Sequence, residues 1–353
     1  MNVMNATVGT AGVGEQGCAR FGLGRSPLRW ARTVVCTAAA LIIGLSTRAV
    51  EPTAAEARLT VAAYSGPYFA GVLANPELNE ASGLTASRRD PDLFWSHNDS
   101  DAGPRLYALG SDGRNRGAVT VRGATNVDWE AIRSFTWQGR SWLLIGDVGF
   151  DNGKRTVFKI YVLPEPDPSA LSPEREIDAE VAWSFPFAYA DGKNRDCESV
   201  GVDVNEGAIY LLEKRVFPSG LYRLPLKPAT DGMQTPVRIS MVDTIPQPDA
   251  ELAAAKSVKA SWRANATDMD FAADGSAAVV MTYSNAYLFA RAAGESWIQT
   301  FAKEPQRLPL FHLDKAEPEA VCFAADSRTI FLTCEKPPAP LLRYERLAIP
   351  PTR

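Results

Sequence analysis

One pattern limits the fold of this chain more than any other: an acidic residue followed by small and apolar residues recurs five times. The instances are Glu80-Ala81-Ser82-Gly83-Leu84, Glu130-Ala131-Ile132, Glu198-Ser199-Val200, Asp268-Met269-Asp270-Phe271 and Glu319-Ala320-Val321, at intervals of 50, 68, 70 and 51 residues. Each acid leads into a turn signal, at Arg89-Asp90-Pro91, Gln138-Gly139, Asn205-Glu206-Gly207, Asp274-Gly275 and Asp326-Ser327. Such residues suit tight turns through positive φ or local side-chain hydrogen bonds. A short apolar run follows: Leu93–Trp95, Trp142–Ile145, Ile209–Leu212, Ala278–Met281 and Ile330–Leu332. Runs of this length, rich in β-branched and aromatic residues, read as strands. Then comes a polar cluster, and after it a third strand carrying a tyrosine: Tyr107, Tyr161, Tyr222, Tyr287 or Tyr344.

The first four units add a fourth stretch, at Ala118–Val121, Val181–Phe185, Val237–Val242 and Trp297–Phe301. The fifth unit ends after its third strand, and its outer strand is expected from Tyr68–Leu73 near the start of the domain. Self-similarity at such periods marks repeat architectures. The expectation is an all-β fold, a five-bladed β-propeller of four-stranded antiparallel blades, the last closed by an N-terminal strand, which also removes an exposed edge. Long helices have little support; Ala250–Lys259 is expected as one short helix between the third and fourth blades.

The domain occupies residues 58–353, and residues 1–57 read as a signal peptide or N-terminal anchor with a linker. Arg25, Arg29 and Arg32 precede the apolar run Thr33–Leu45, with small residues at Ala49 and Ala57. A basic stretch before about a dozen apolar residues has the shape of an export signal, and the run is short for a membrane span, which needs about 20. The protein is therefore expected outside the cytoplasm, periplasmic or extracellular, touching a membrane only through this segment. A net charge of −4 gives no basic field for nucleic acid. Two histidines, His97 and His312, leave no cluster for zinc. Of the five cysteines, Cys18 and Cys36 lie in the leader, and no spacing resembles a metal-binding pattern. Cys322 and Cys334 flank a turn and are candidates to face one another across a hairpin.

In a propeller the first strand of each blade lines the central channel, so Glu80, Glu130, Glu198, Asp268 and Glu319 are expected to converge. Two like charges 5 Å apart repel by about 3 kcal/mol at an effective dielectric near 20. A ring of five must bind a cation, take up protons or find basic partners. Oxygen donors outside the cell suit calcium; in the alternative, each carboxylate bonds neighbouring backbone or a basic side chain and staples the blades. The polar clusters that end the second strands share the same face. His97, Asn98, Asp99, Asp101, Asp147, Asp151, Asn152, Arg155, Lys214, Arg215, Glu335 and Lys336 thus form a candidate ligand-binding rim, with His97 as a candidate general base. No nucleophile elbow, P-loop or His-Glu-x-x-His occurs.

These segments resemble bacterial exported propeller proteins of undefined activity: Glu80–Leu84 with His97-Asn98-Asp99-Ser100, and Asp128-Trp129-Glu130-Ala131-Ile132 with Gly146-Asp147-Val148-Gly149. A weaker resemblance is to the calcium-activated nucleotidases (apyrases), also five-bladed. That resemblance implies a calcium ion on the axis held by Ser82, Glu130, Glu198 and Glu319, with Thr267 or Asp268 where the family uses a hydroxyl. Two functions are expected: a monomer binding a small-molecule, phosphate-bearing or glycan ligand, or an envelope protein, on the channel rim; or a calcium-dependent hydrolase of a phosphate ester, anhydride or lactone.

Overall fold

The computed structural model describes residues 63–100, 102–150, 153, 155–247, 264–310 and 317–347. The leader and the Ala250–Lys259 segment lie outside the described residues, as do Asp101, Asp151, Asn152 and His312. Strand β1 (Tyr64–Val72) comes first. Blade 1 follows, as β2 (Ala81–Ala86), β3 (Leu93–Asn98), β4 (Arg105–Gly110) and β5 (Asn115–Arg122). Blade 2 holds β6 (Trp129–Trp137), β7 (Arg140–Asp147) and β8 (Phe158–Pro164); the chain then makes β9 (Ile177–Glu180) before completing the blade with β10 (Trp183–Phe187). Blade 3 is β11 (Ser199–Asp203), β12 (Ala208–Leu212), β13 (Ser219–Pro225) and β14 (Val237–Val242). Blade 4 is β15 (Ala266–Phe271), β16 (Ala277–Thr282), β17 (Asn285–Ala290) and β18 (Gln306–Pro309). Blade 5 is β19 (Pro318–Phe323), β20 (Ile330–Cys334) and β21 (Pro340–Arg346), with β1 as its outer strand.

The five-bladed propeller is thus present, and β1 closes blade 5 by antiparallel pairing with β21, Phe69 opposite Leu342. Side chains alternate along a strand, and here both faces are covered, one by each neighbouring blade. Val200 and Leu211 of blade 3 pack with Leu144 and Ile160 of blade 2, whereas Tyr210 and Leu212 pack with Phe271 and Val280 of blade 4. This double burial produces continuous apolar runs in place of a clean alternation. The core is five such layers, one between each pair of neighbours, the last joining Leu84 and Phe94 of blade 1 to Cys322 and Phe331 of blade 5.

Three expectations change. Trp297–Phe301 is a short helix, α1, and β18 takes the outer place of blade 4. Ser296 caps the first turn and Gln299 returns the bond, a capping box. The helical spacing brings Trp297 and Phe301 to one face, with Trp297 stacked 3.8 Å from Phe271. Second, β9 adds a fifth, parallel strand to blade 1, Val119 opposite Ile177, and the outer strand of blade 2 is Trp183–Phe187. Third, Cys322 stands opposite Phe331 and Cys334 opposite Pro318, and both thiols are free and buried. No helix among the described residues is long and apolar enough to cross a membrane.

Candidate functional site

Near its start, each innermost strand gains one residue on its partner. Ala81 faces Asn98 while Gly83 faces His97, leaving Ser82 extra. Glu130 is extra between Trp129 and Ala131, Thr267 between Ala266 and Asp268, and Glu319 between Pro318 and Ala320. In blade 3 Ser199 faces Leu212 and the Lys214 N–H donates to the Asp196 carbonyl, so the same slip falls at Cys197–Glu198. A bulge re-aims the side chain it carries. The equivalent positions around the axis are therefore Ser82, Glu130, Glu198, Thr267 and Glu319. Glu80 lies two residues earlier and is exposed. Asp268 lies one residue deeper and is wholly buried.

Two residues before each bulge stands a second tier, Glu80, Asp128, Asp196, Asn265 and Glu317. Asp128 and Glu130 bring two carboxyls close together on blade 2, and Asp196 acts on Glu198 in the same way on blade 3. The ends of the second strands add Asp99, Gly149, Lys214, Tyr283 and Glu335.

The densest part lies between blades 1 and 2. Asp99, Asp128 and Glu130 each present an oxygen, all within 4.8 Å of one another. Ser82 donates its hydroxyl to Glu130 Oε2 at 2.6 Å. Gly149 leaves the space: a Cβ there would sit 2.4 Å from the Asp128 carboxyl and 2.8 Å from Glu130 Oε1. Burial, with Asp128 beside it, pushes the Asp99 carboxyl up to about 7. Burial, with Glu198 and Asp99 near, holds Glu130 well above the usual carboxylate range, against the pull of Lys214.

The opposite part is built differently. Lys214 enters the ring, only 6% exposed, and donates to Glu198 Oε2 and to the Tyr283 hydroxyl at 2.8 Å. Burial pushes Glu319 up to about 8, with Lys214 and the Tyr283 phenol drawing it down. The hydroxyl of Thr267, 1% exposed, has no partner, and neither has that of Ser199.

The other rim residues are mostly paired. Arg155 bonds Asp147 at 2.5 Å, and Asp147 accepts the Asp128 N–H at 3.0 Å. Arg215, half-exposed, pairs with Asp196. Lys336 reaches Glu317 at 3.2 Å and Glu335 at 3.3 Å. Asn98 holds the entry to β2, accepting the N–H groups of Asn79 and Glu80. His97 is fully buried in β3, edge-on to Trp129 at 5.8 Å, with its Nδ1 near the Asn98 carbonyl. Burial drops it to about 4, so the ring is neutral and sealed from the mouth.

Below the ring the axis is closed by Arg133. Its Nε donates to the carbonyls of Val200 in blade 3 (2.6 Å) and Met269 in blade 4 (2.8 Å). Its Nη1 donates to Leu84 in blade 1 (3.1 Å) and Ile132 in blade 2 (2.5 Å). Its Nη2 pairs with Asp268, whose other oxygen accepts the Val321 N–H of blade 5 at 2.8 Å. One guanidinium therefore ties all five blades. Beyond it Arg133, Arg88, Asp203, Asp270 and Trp297 line a cavity of about 200 Å³ that no ring carboxyl reaches. It is smaller than the roughly 300–1,000 Å³ of ordinary ligand pockets.

The acid repeat located the ring, but Asp128, Asp196, Gly149 and Tyr283 were not read as site residues, nor was Arg133 below it. The signal for the first two was the acid-x-acid spacing. For Arg133 it was a lone cation inside an apolar innermost strand.

No protein-family model matches the sequence, and no curated protein matches it. The chain resembles the solved PQQ-bound form of aldose sugar dehydrogenase from Streptomyces coelicolor, with 10% identity, a TM-score of 0.44 and coverage of 81% of this chain and 99% of that one. A likeness at this level brings neither cofactor nor substrate to the present chain.

Proposed function

We propose that this chain is an exported β-propeller that holds one calcium ion in its acidic mouth and binds a ligand or envelope partner on the rim around it. The observation that carries the reading is the convergence of Asp99, Asp128 and Glu130 within 4.8 Å, with Gly149 keeping the space beside them free of a Cβ. Three carboxylates this close repel by about 3 kcal/mol per pair at an effective dielectric near 20. A divalent ion removes that cost. The donors are all oxygen, and calcium takes 6–8 oxygen ligands in flexible geometry. Three carboxyls and the Ser82 hydroxyl leave coordination positions to water or to the ligand. Binding is preferred to hydrolysis because the candidate base, His97, is sealed in the blade 1–blade 2 layer. Export rests on the leader sequence; sequencing the N-terminus of secreted protein checks it.

Calcium at 100 times its dissociation constant would add about 2.7 kcal/mol, or a rise in Tm on the order of 5–10 °C for a domain of this size. Asp128→Asn and Gly149→Ala should each remove most of that rise, the first by deleting a ligand charge and the second by pushing Asp128 and Glu130 aside. Scanning calorimetry with calcium or EDTA measures it. An unchanged Tm in millimolar calcium would sink the metal reading. Calcium-dependent turnover of phosphate esters, anhydrides or lactones would replace binding by hydrolysis.

A further inference from the structure

We infer that Lys214 is a built-in counter-cation: its ammonium occupies the part of the ring made by blades 3, 4 and 5, confining the divalent ion to Asp99, Asp128 and Glu130, off the axis. The second half of this statement rests on the calcium reading above; the role of the lysine stands on its own geometry. Lys214 comes from the position that supplies Asp99 in blade 1 and Glu335 in blade 5. A cation there replaces an acid and points inward. Its Nζ donates to Glu198 and to the Tyr283 hydroxyl and lies 5.0 Å from the Tyr283 ring centroid. Glu130 of blade 2 and Glu319 of blade 5 act on it as well. With 6% of its side chain exposed, it is not a mobile surface lysine that swings aside at no cost.

The same part of the ring carries a mark of unused coordinating capacity. Thr267 stands at the bulge position that Glu130, Glu198 and Glu319 hold in their own blades, and its buried hydroxyl has no hydrogen-bond partner. Lys214 supplies three donors and no acceptor, so it balances charge here without engaging every oxygen. Take the ammonium away, and Glu198, Glu319, Thr267 and Tyr283 remain as an all-oxygen set of the kind calcium accepts. The lysine and a second divalent ion are therefore alternatives for the same volume.

The test is calcium stoichiometry on the whole protein, by equilibrium dialysis with metal analysis. One ion is expected for the wild type and for Lys214→Arg, and two for Lys214→Ala. A single ion in Lys214→Ala, bound as in the wild type, would overturn the lysine's role while leaving the calcium reading intact. No ion in the wild type with one in Lys214→Ala would support the lysine's role and defeat the site between blades 1 and 2. Should Lys214→Ala not fold, Asp128→Asn decides in the native background. It should lose the ion, and retention of calcium at wild-type affinity would place the ion beside Glu198 and Glu319, against the inference.

Discussion

Replacing Arg133 by methionine is expected to leave no cooperatively folded propeller at room temperature. The side chain is 1% exposed and its partner Asp268 0%. Breaking a buried ion pair by removing one member costs about 3–5 kcal/mol. The carbonyls of Leu84, Val200 and Met269 would lose this buried donor as well, at about 1–3 kcal/mol for each one left unsatisfied. The sum approaches the whole stability of a typical domain, about 5–15 kcal/mol. Methionine fills the volume but supplies none of the donors. Arg133→Lys keeps the charge and loses the planar fork that reaches several blades at once, so an intermediate loss is expected. Circular dichroism during thermal unfolding measures both. A methionine variant melting within about 2 °C of the parent, less than 1 kcal/mol for a domain of this size, would show that the blades hold without this tie.

The blades were legible because their signals are local: an acid, a turn, an apolar run, then a tyrosine-bearing strand. Where the structure departs, a non-local or competing local term decided. Ser296 and Gln299 close a capping box, which gave a helix at a place where the repeat called for a strand. Strand β9 forms only because β5, more than fifty residues earlier, offers an open edge. The candidate site was legible to within one or two residues, and in a sheet that margin matters because a one-residue slip turns a side chain to the other face. The bulges put Ser82 and Thr267 at the ring positions, with Glu80 exposed at the outer tier and Asp268 buried against Arg133. Lys214 was readable as a cation after the second strand of blade 3. That it turns inward depends on Glu198, Glu319 and Tyr283, which come from three different blades, and no local pattern contains that.

In EDTA, the melting temperature is expected to fall steadily between about pH 5 and pH 8. Burial and neighbouring acids push Asp99 up to about 7 and Glu319 up to about 8, and hold Glu130 and Glu198 well above the usual range. An unfolded chain releases these protons near pH 4 to 4.5. Over the window between, the folded chain binds more protons than the unfolded one, so raising the pH favours unfolding. Each extra proton contributes roughly 1.4 kcal/mol per pH unit. Carboxyls held low, such as Asp203 against Arg291 and Trp297, titrate below this window. His97, at about 4 in the fold and about 6.5 when unfolded, offsets one of these protons up to about pH 6.5 and makes the fall shallower there. Above about pH 8 Asp99 and Glu319 have released their protons and no longer add to the slope. Calcium takes the place of the protons on Asp99 and Glu130, so in millimolar calcium the decline should be markedly shallower. The separation between the two curves should be smallest at pH 5 and widest near pH 8. Asp128→Asn should flatten the EDTA curve, because it relieves Asp99 and Glu130 of a neighbouring charge, and should draw the two curves together. Differential scanning calorimetry at four pH values with either additive reads all of this. A melting temperature that rises from pH 5 to pH 8 in EDTA would mean the ring carries its charges without a proton or a metal, and the electrostatic basis for an ion in the mouth would go with it.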